Sequence, residues 1–156
     1  MKYTRLTKEQ LEALHEEFAR FLATQSITAD EWEKLKKDKP GIVEDELDVF
    51  SDLIWEGTLN KVNYLENWSE QQVFLFHFKE SNIHLIAIKV SNPSINLITE
   101  EGLKWLEKNI GEDEVEILEA EKQYTLEPNL EKFNFIKEGA IISEGEFYTT
   151  LNNLLK

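Results

Sequence analysis

A row of four carboxylates is the most distinctive chemical feature of this chain. Residues 44–56 contain six acidic side chains and no basic one. If this segment is helical, acids recur at every fourth residue and share one face. That face, called the acidic ladder below, consists of Glu44, Asp48, Asp52 and Glu56. Like charges at this spacing destabilise a helix by about 0.2 to 0.5 kcal/mol per pair. We therefore expect the ladder to bind a cationic group and predict it as the contact surface for a basic protein partner.

An internal source of positive charge precedes the ladder in the sequence. It consists of the lysines Lys34, Lys36, Lys37 and Lys39. Charge runs are usually solvated or compensated locally, so these lysines could fold back and neutralise the ladder. The sequence leaves internal neutralisation and partner binding open as alternatives. A metal-dependent nuclease site is a poorer match, because it needs acids that converge from several elements.

Two histidines form a second candidate site on a predicted β-hairpin. Residues 73–78 and 83–90 are rich in β-branched and aromatic side chains, and a loop at residues 81–82 joins them. In this register His77 and His84 are diagonal neighbours on one face of the sheet. Both faces of the hairpin are largely apolar, which predicts that the sheet is covered on both sides.

The histidine pair alone is too small a ligand set for zinc. A third ligand would have to come from a residue such as Glu66 or Glu70, and histidines on an apolar face are more often hydrogen-bonded core residues. We therefore predict no bound metal. The pair serves as a ligand site only under the alternative hypothesis of a small enzyme or ligand-binding domain.

Other catalytic machinery has little support in the sequence. The chain has no cysteine, which excludes disulfides, thiolate nucleophiles, iron–sulfur clusters and cysteine-ligated zinc. It contains no Gly-x-Ser-x-Gly elbow, and its 6 glycines are scattered singly rather than grouped in a phosphate-binding loop. We expect no cofactor, and these features favour a protein without enzymatic activity.

Composition places the chain among acidic globular proteins. Its 156 residues are 41% hydrophobic and 11% aromatic, which is too rich for a disordered chain and suits one domain. A formal net charge of −14 and a pI near 4.6 disfavour direct binding to nucleic acid or anionic lipid. The first residues lack the apolar core of a signal peptide, and no apolar run approaches the ~20 residues that span a bilayer. We therefore expect a cytoplasmic protein.

The spacing of apolar residues predicts an α+β fold. Three helices come first, over about residues 8–23, 28–39 and 42–66, and the hairpin follows. Thr7 with Gln10 and Thr28 with Glu31 have the spacing of capping boxes for the first two helices. A helix capped by Thr99, a strand over residues 115–120 and two helices that begin at Pro128 and Ser143 complete the order. This order indicates a small antiparallel sheet built on the central hairpin and covered by about six helices.

Charge marks a boundary near residue 40 within this arrangement. Residues 1–40 carry eight acids and eight bases, and the negative excess follows them. We predict a single domain over residues 1–156, with a charge-balanced helical segment at 1–40 and an acidic α+β body at 41–156.

Three segments carry a resemblance to a known family. They are Leu6–Glu12, Phe21–Trp32 and Leu47–Glu56. They resemble a family of short, uncharacterised bacterial proteins that is described only as a domain of unknown function, over most of the chain's length. The resemblance implies a bacterial, cytosolic origin and transfers no functional residue.

Two hypotheses follow from the sequence. The first is a non-enzymatic cytosolic interaction module, an adaptor or assembly factor, that presents acidic surface to a basic protein partner. The second is a small enzyme or ligand-binding domain with its site near His77 and His84. Salt sensitivity distinguishes them, because contacts between exposed charges weaken with ionic strength and an enclosed pocket does not. The partner, any substrate and the oligomeric state stay open.

Overall fold

Helices alone make up the first unit of the chain, Met1–Asn60, and a sheet with helices makes up the second, Lys61–Lys156. The computed structural model describes residues 1–156. The charge step near residue 40 lies inside the first unit, because Pro40 begins its longest helix. None of the helices is both long and apolar enough to cross a membrane.

The first unit contains four helices. They are α1 (Lys8–Ala13), α2 (His15–Thr24), α3 (Ala29–Asp38) and α4 (Pro40–Lys61). The predicted capping box at Thr7 and Gln10 is present, with reciprocal hydrogen bonds between side chain and backbone. The single helix predicted from residue 8 to residue 23 is divided at Leu14, whose φ of −103° and ψ of 23° leave the helical region. Apolar spacing continues across Leu14, so the sequence carries no signal of the break.

Aromatic side chains join three of these helices. The ring of Phe18 on α2 lies 5.2 Å from that of Trp32 on α3 and 4.9 Å from that of Phe50 on α4, in edge-on geometry. Phe21 adds a second contact to Phe50, at 5.4 Å. Large aromatics at helical spacing thus form the core of this unit.

The second unit is built on a five-stranded antiparallel sheet. Its elements are β1 (Tyr64–Trp68), β2 (Gln72–Phe78), β3 (Asn82–Val90), α5 (Glu100–Asn109), β4 (Val115–Gln123), α6 (Pro128–Lys137), β5 (Ile141–Ser143) and α7 (Glu146–Leu154). The strands lie in the order β4-β3-β2-β1-β5, and every neighbouring pair is antiparallel. The predicted α+β class is confirmed.

The central hairpin has two largely apolar faces, as predicted. Phe76 pairs with Leu85 and Leu75 pairs with Ile86, so phenylalanines line one face of β2 and the aliphatic residues line the other. Leu106 of α5 joins the aliphatic core, together with residues of α7, whereas α6 packs on the phenylalanine face. Helices therefore pack on both faces of the sheet.

Strand β1 replaces the end of a predicted helix. The third helix, predicted to run to Glu66, ends at Lys61, and Tyr64–Trp68 pairs with both β2 and β5. The prediction was wrong because Leu65 and Trp68 happen to continue the helical spacing. In the observed strand the buried Leu65 is flanked by the partly buried Tyr64 and Glu66. This alternation is the strand pattern that the helical interpretation overlooked.

The start of the last helix also differs from the prediction. Ser143, predicted to cap it, lies in β5, and the cap position is Gly145 with a φ of +82°. A Cβ at Gly145 would lie 2.5 Å from the ring of Tyr64, so both the backbone conformation and the space require glycine here.

Candidate functional site

The ladder carboxylates lie on α4, and residues 2–6 of the chain bind them. The backbone N–H groups of Lys2 and Tyr3 donate to the two carboxylate oxygens of Asp52, at 2.7 and 2.9 Å. The hydroxyl of Tyr3 donates to Glu56, and Lys2 Nζ lies 3.4 Å from the same carboxylate. Burial and the bond to Glu56 raise the pKa of Tyr3 to about 12.

Arg5 binds the other half of the ladder. Its Nε donates to Asp48 at 2.8 Å, its Nη1 contacts the Glu44 carboxylate, and its Nη2 donates to the Glu44 backbone carbonyl at 3.2 Å. Hydrogen bonds to Glu44 and Asp48 raise the pKa of Arg5 above the ordinary value of an arginine. Beside it, the backbone N–H of Leu6 donates to the fully buried hydroxyl of Ser51 at 3.0 Å.

The two cations contact different halves of the ladder. Lys2 contacts Glu56, and Arg5 contacts Glu44 and Asp48, which lie two or more helical turns away. The chain bends at Tyr3 between them, so the adjacent N–H groups of Lys2 and Tyr3 both bond to Asp52. Lys34 and Lys37 have the same three-residue spacing as Lys2 and Arg5, so spacing did not identify the ladder's partner in the sequence.

The lysines that precede α4 bind elsewhere. Lys36 pairs with Glu33 on its own helix at 3.0 Å, and none of the lysines at 34, 36, 37 and 39 forms an ion pair with the ladder. The ladder is thus compensated within the chain by Lys2 and Arg5, two cations against four carboxylates.

The two histidines of the hairpin face each other directly. His77 on β2 pairs with His84 on β3, whereas a diagonal arrangement was predicted. The loop is one residue earlier than predicted, since the Lys79 N–H bonds to the Asn82 carbonyl at 2.9 Å. The histidines do share a face, as predicted.

His84 is the centre of a hydrogen-bonded chain. Its Nε2 lies 3.1 Å from a carboxylate oxygen of Glu119 on β4, and its Nδ1 contacts the hydroxyl of Tyr148 on α7. A carboxylate only accepts, so Nε2 carries the hydrogen, and in the neutral imidazole Nδ1 accepts from the tyrosine. Burial, then Tyr64 and the nearby glutamates, raise the pKa of Tyr148 to about 12, so this hydroxyl stays protonated.

His77 is held by ring contacts. It stacks on Tyr64 with ring centroids 4.5 Å apart and meets the Tyr148 ring edge-on at 5.1 Å. Its Nδ1 is buried without a hydrogen-bond partner. Burial lowers the pKa of His77, and Lys79 and His84 lower it further.

The histidine cluster is arranged as a polar core. Tyr148 and His84 are 3% and 7% exposed, and their polar atoms bond to protein groups. Glu66, a candidate third metal ligand from the sequence, instead accepts hydrogen bonds from Trp68 Nε1 and Ser143 Oγ, both at 2.9 Å. No group of three or more His, Asp or Glu side chains could hold a metal ion.

The protein is thus an acidic α+β protein with two notable groups of side chains. One is the acidic ladder, which residues 2–6 of the same chain bind, and the other is the largely buried histidine–tyrosine cluster. The chain belongs to DUF6495, a family of unknown function, whose model matches residues 1–156. No curated protein and no solved structure matches it.

Replacing His77 by phenylalanine should reduce the loss of unfolding free energy that occurs as the pH is lowered. The lowered pKa means that folded His77 binds fewer protons than unfolded His77, so wild-type stability falls as pH drops below the ordinary histidine pKa of about 6.5. Phenylalanine keeps the stack on Tyr64 and does not titrate. Urea unfolding between neutral and mildly acidic pH measures the two slopes. An equal or steeper loss in His77→Phe contradicts the assignment.

Proposed function

We propose that this protein is a non-enzymatic, cytosolic interaction module whose acidic ladder, Glu44, Asp48, Asp52 and Glu56, binds a short basic segment of a partner protein. One observation carries the proposal: residues 2–6 of the chain already occupy the ladder as such a segment. The ladder therefore has the geometry to bind a short basic segment through both backbone and side-chain contacts. An acidic, cysteine-free chain is compatible with an adaptor in a reducing compartment.

The ladder keeps capacity for additional positive charge. Two cations face four carboxylates, and the side chain of Glu44 is 57% exposed. Each partly exposed ion pair contributes about 0.2 to 1 kcal/mol, which a more basic competitor can exceed. A partner segment with additional arginine or lysine can displace the charged contacts of residues 2–6.

Two buried side chains indicate what else the partner segment needs. Tyr3 and Leu6 are 9% and 7% exposed, and the Tyr3 ring lies 6.5 Å from the Trp55 ring. Fully burying such side chains contributes about 1.5 to 3 kcal/mol each. We therefore propose that the partner presents a basic residue, an aromatic residue, any residue, an arginine and an aliphatic residue in succession.

A labelled peptide tests the proposal. The probe carries the sequence of residues 1–7 followed by two arginines, and fluorescence anisotropy at low salt measures its binding. Arg5→Ala should bind it about tenfold tighter than wild type, because the internal competitor loses its bond to the ladder. The double variant Asp48→Asn/Asp52→Asn should lose binding, and high salt should weaken binding to every variant.

Lys36→Ala is the matched control for Arg5→Ala. It removes one positive charge from an exposed pair that lies outside the ladder, so it should bind the probe as wild type does. Circular dichroism confirms that each variant is folded. The proposal fails if Arg5→Ala binds no tighter than Lys36→Ala, or if the double variant keeps wild-type affinity.

The alternative hypothesis, an enzyme or ligand-binding domain at His77 and His84, has weaker support. The nitrogens of His84 and the Tyr148 hydroxyl are engaged with protein groups, and both side chains are buried. A substrate would have to break this chain of hydrogen bonds, so we do not propose a reaction there.

A further inference from the structure

Strand β4 is a long and exposed edge of the sheet. It pairs only with β3, over nine residues from Val115 to Gln123. After Val115 every side chain of the strand is exposed except that of Ile117, which is half-buried. The opposite edge, β5, has only three residues. A long exposed edge offers a row of unpaired backbone groups to an incoming strand.

The hydrogen-bond pattern identifies which backbone groups point outward. The Ser91 N–H donates to the Glu114 carbonyl at 3.0 Å, so Glu114 faces β3. Residues of an antiparallel strand alternate between facing their partner and facing away, and the register with β3 is unbroken. The outward groups therefore belong to Ile117, Glu119, Glu121 and Gln123. Val115, at an odd position like these residues, also faces away from β3, since its N–H bonds to the Glu112 carbonyl instead.

The side chains along this edge select for positive charge. Glu116 and Glu121 form no ion pair, and Glu119 bonds to His84. The strand's one basic side chain, Lys122, is already paired with Glu131 at 3.1 Å. An incoming strand would meet acids on both faces of the sheet, beside Glu121 on one and beside Glu116 on the other.

We propose that the free edge of β4 is a second docking site, which takes up a basic extended segment of a partner protein as a sixth strand. Backbone hydrogen bonds to Ile117, Glu119 and Glu121 provide affinity, and pairing of lysine or arginine with the acids provides specificity. Leu118, 55% exposed, offers an apolar contact to the same segment. This site lies in the second unit and does not depend on the ladder.

A second copy of the chain fits this edge poorly. Pairing β4 with another β4 would place acids such as Glu119 and Glu121 beside an equally acidic strand. Like charges on paired strands are destabilising. The acids thus disfavour self-association through this edge and leave it to a strand of opposite charge.

A strand peptide tests the site in the Asp48→Asn/Asp52→Asn background, where the ladder is disabled. The probe is a labelled nine-residue peptide of alternating lysine and valine. Glu121→Gln should weaken its binding about two- to threefold, through loss of one charge. Glu121→Pro should weaken it about tenfold beyond that, because proline removes an outward N–H and its ring obstructs the edge. Proline is tolerated where the N–H faces solvent, so the fold should persist.

Backbone methylation of the peptide gives a test that needs no protein variant. Two versions carry N-methyl groups, one on alternate residues and one on every residue. The first keeps one edge of free N–H groups and should bind, whereas the fully methylated version should lose binding because neither edge can donate to β4. Equal binding of the two versions, or of the glutamine and proline variants, overturns the proposal.

Two further outcomes distinguish binding at β4 from binding at the ladder, and from a role of the acids only in preventing the edge from pairing with another copy. If the peptide binds wild type but not the ladder-disabled background, it occupies the ladder, and the β4 proposal fails while the proposed function stands. If Glu116→Gln/Glu121→Gln self-associates in analytical ultracentrifugation while the probe binds no form of the protein, the acids only protect the edge, and the proposal is overturned.

Discussion

Replacing Phe76 by aspartate is expected to unfold the second unit. The Phe76 ring lies 4.5 Å from Phe135 of α6 and between the rings of Phe74 and Phe78 on the same strand. Aspartate would remove this contact and place an unpaired carboxylate in an apolar cluster. Phe76 is partly buried, so its truncation costs less than the roughly 3 to 5 kcal/mol of a fully buried phenylalanine, but stranding a charge among these rings adds to that. Most of the stability of a typical domain would be lost, which circular dichroism and thermal unfolding would show.

Lys79→Asp is the matched control, with the same introduced residue just after the end of β2. Lys79 is exposed, and its backbone carbonyl, which accepts from the Tyr124 hydroxyl at 2.6 Å, stays in place. Exposed substitutions of this kind usually change stability by less than about 0.5 kcal/mol. Equal melting temperatures for the two variants contradict the assignment of Phe76 to a covered face.

Local periodicity was sufficient to predict the hairpin and several helix starts. Alternation of phenylalanine with Val73, Leu75 and His77 has a period of two, which only a strand satisfies. Thr7, Thr28 and Thr99 each cap a helix as predicted, because a hydroxyl near free backbone N–H groups acts within a few residues. Interactions of this range can be inferred from one sequence.

Contacts between distant residues could not be predicted in the same way. Arg5 meets Asp48 across 43 residues, and His84 meets Tyr148 across 64. The acids showed that the ladder needs a cation, but nothing local distinguished Arg5 from Lys36 as its source. The sequence therefore predicted the electrostatic requirement of the site without predicting how it is met.

Replacing Gly102 by alanine is expected to destabilise the second unit strongly. A Cβ there would lie 1.7 Å from the Asn96 carbonyl oxygen and 2.4 Å from its carbon, so the backbone before α5 would have to move. That movement would displace Leu97, 2% exposed in the aliphatic core, and the Thr99 cap, which accepts from the Gly102 N–H at 3.0 Å. We expect a loss of about 3 kcal/mol or more in urea unfolding, because forced overpacking adds to the loss of the cap.

Gly57→Ala is the matched control, the same substitution in a helix where the added methyl group has space. Apart from the adjacent residues and the nearby backbone of α4 itself, no atom lies within 4 Å of a Cβ at Gly57. Alanine there should stabilise the protein by about 0.5 to 1 kcal/mol, since it restricts the unfolded chain and favours helix. The two variants should therefore shift the urea midpoint in opposite directions. A stable Gly102→Ala would contradict the close approach of the segment before α5 to its first turn, and with it the reason for glycine at that position.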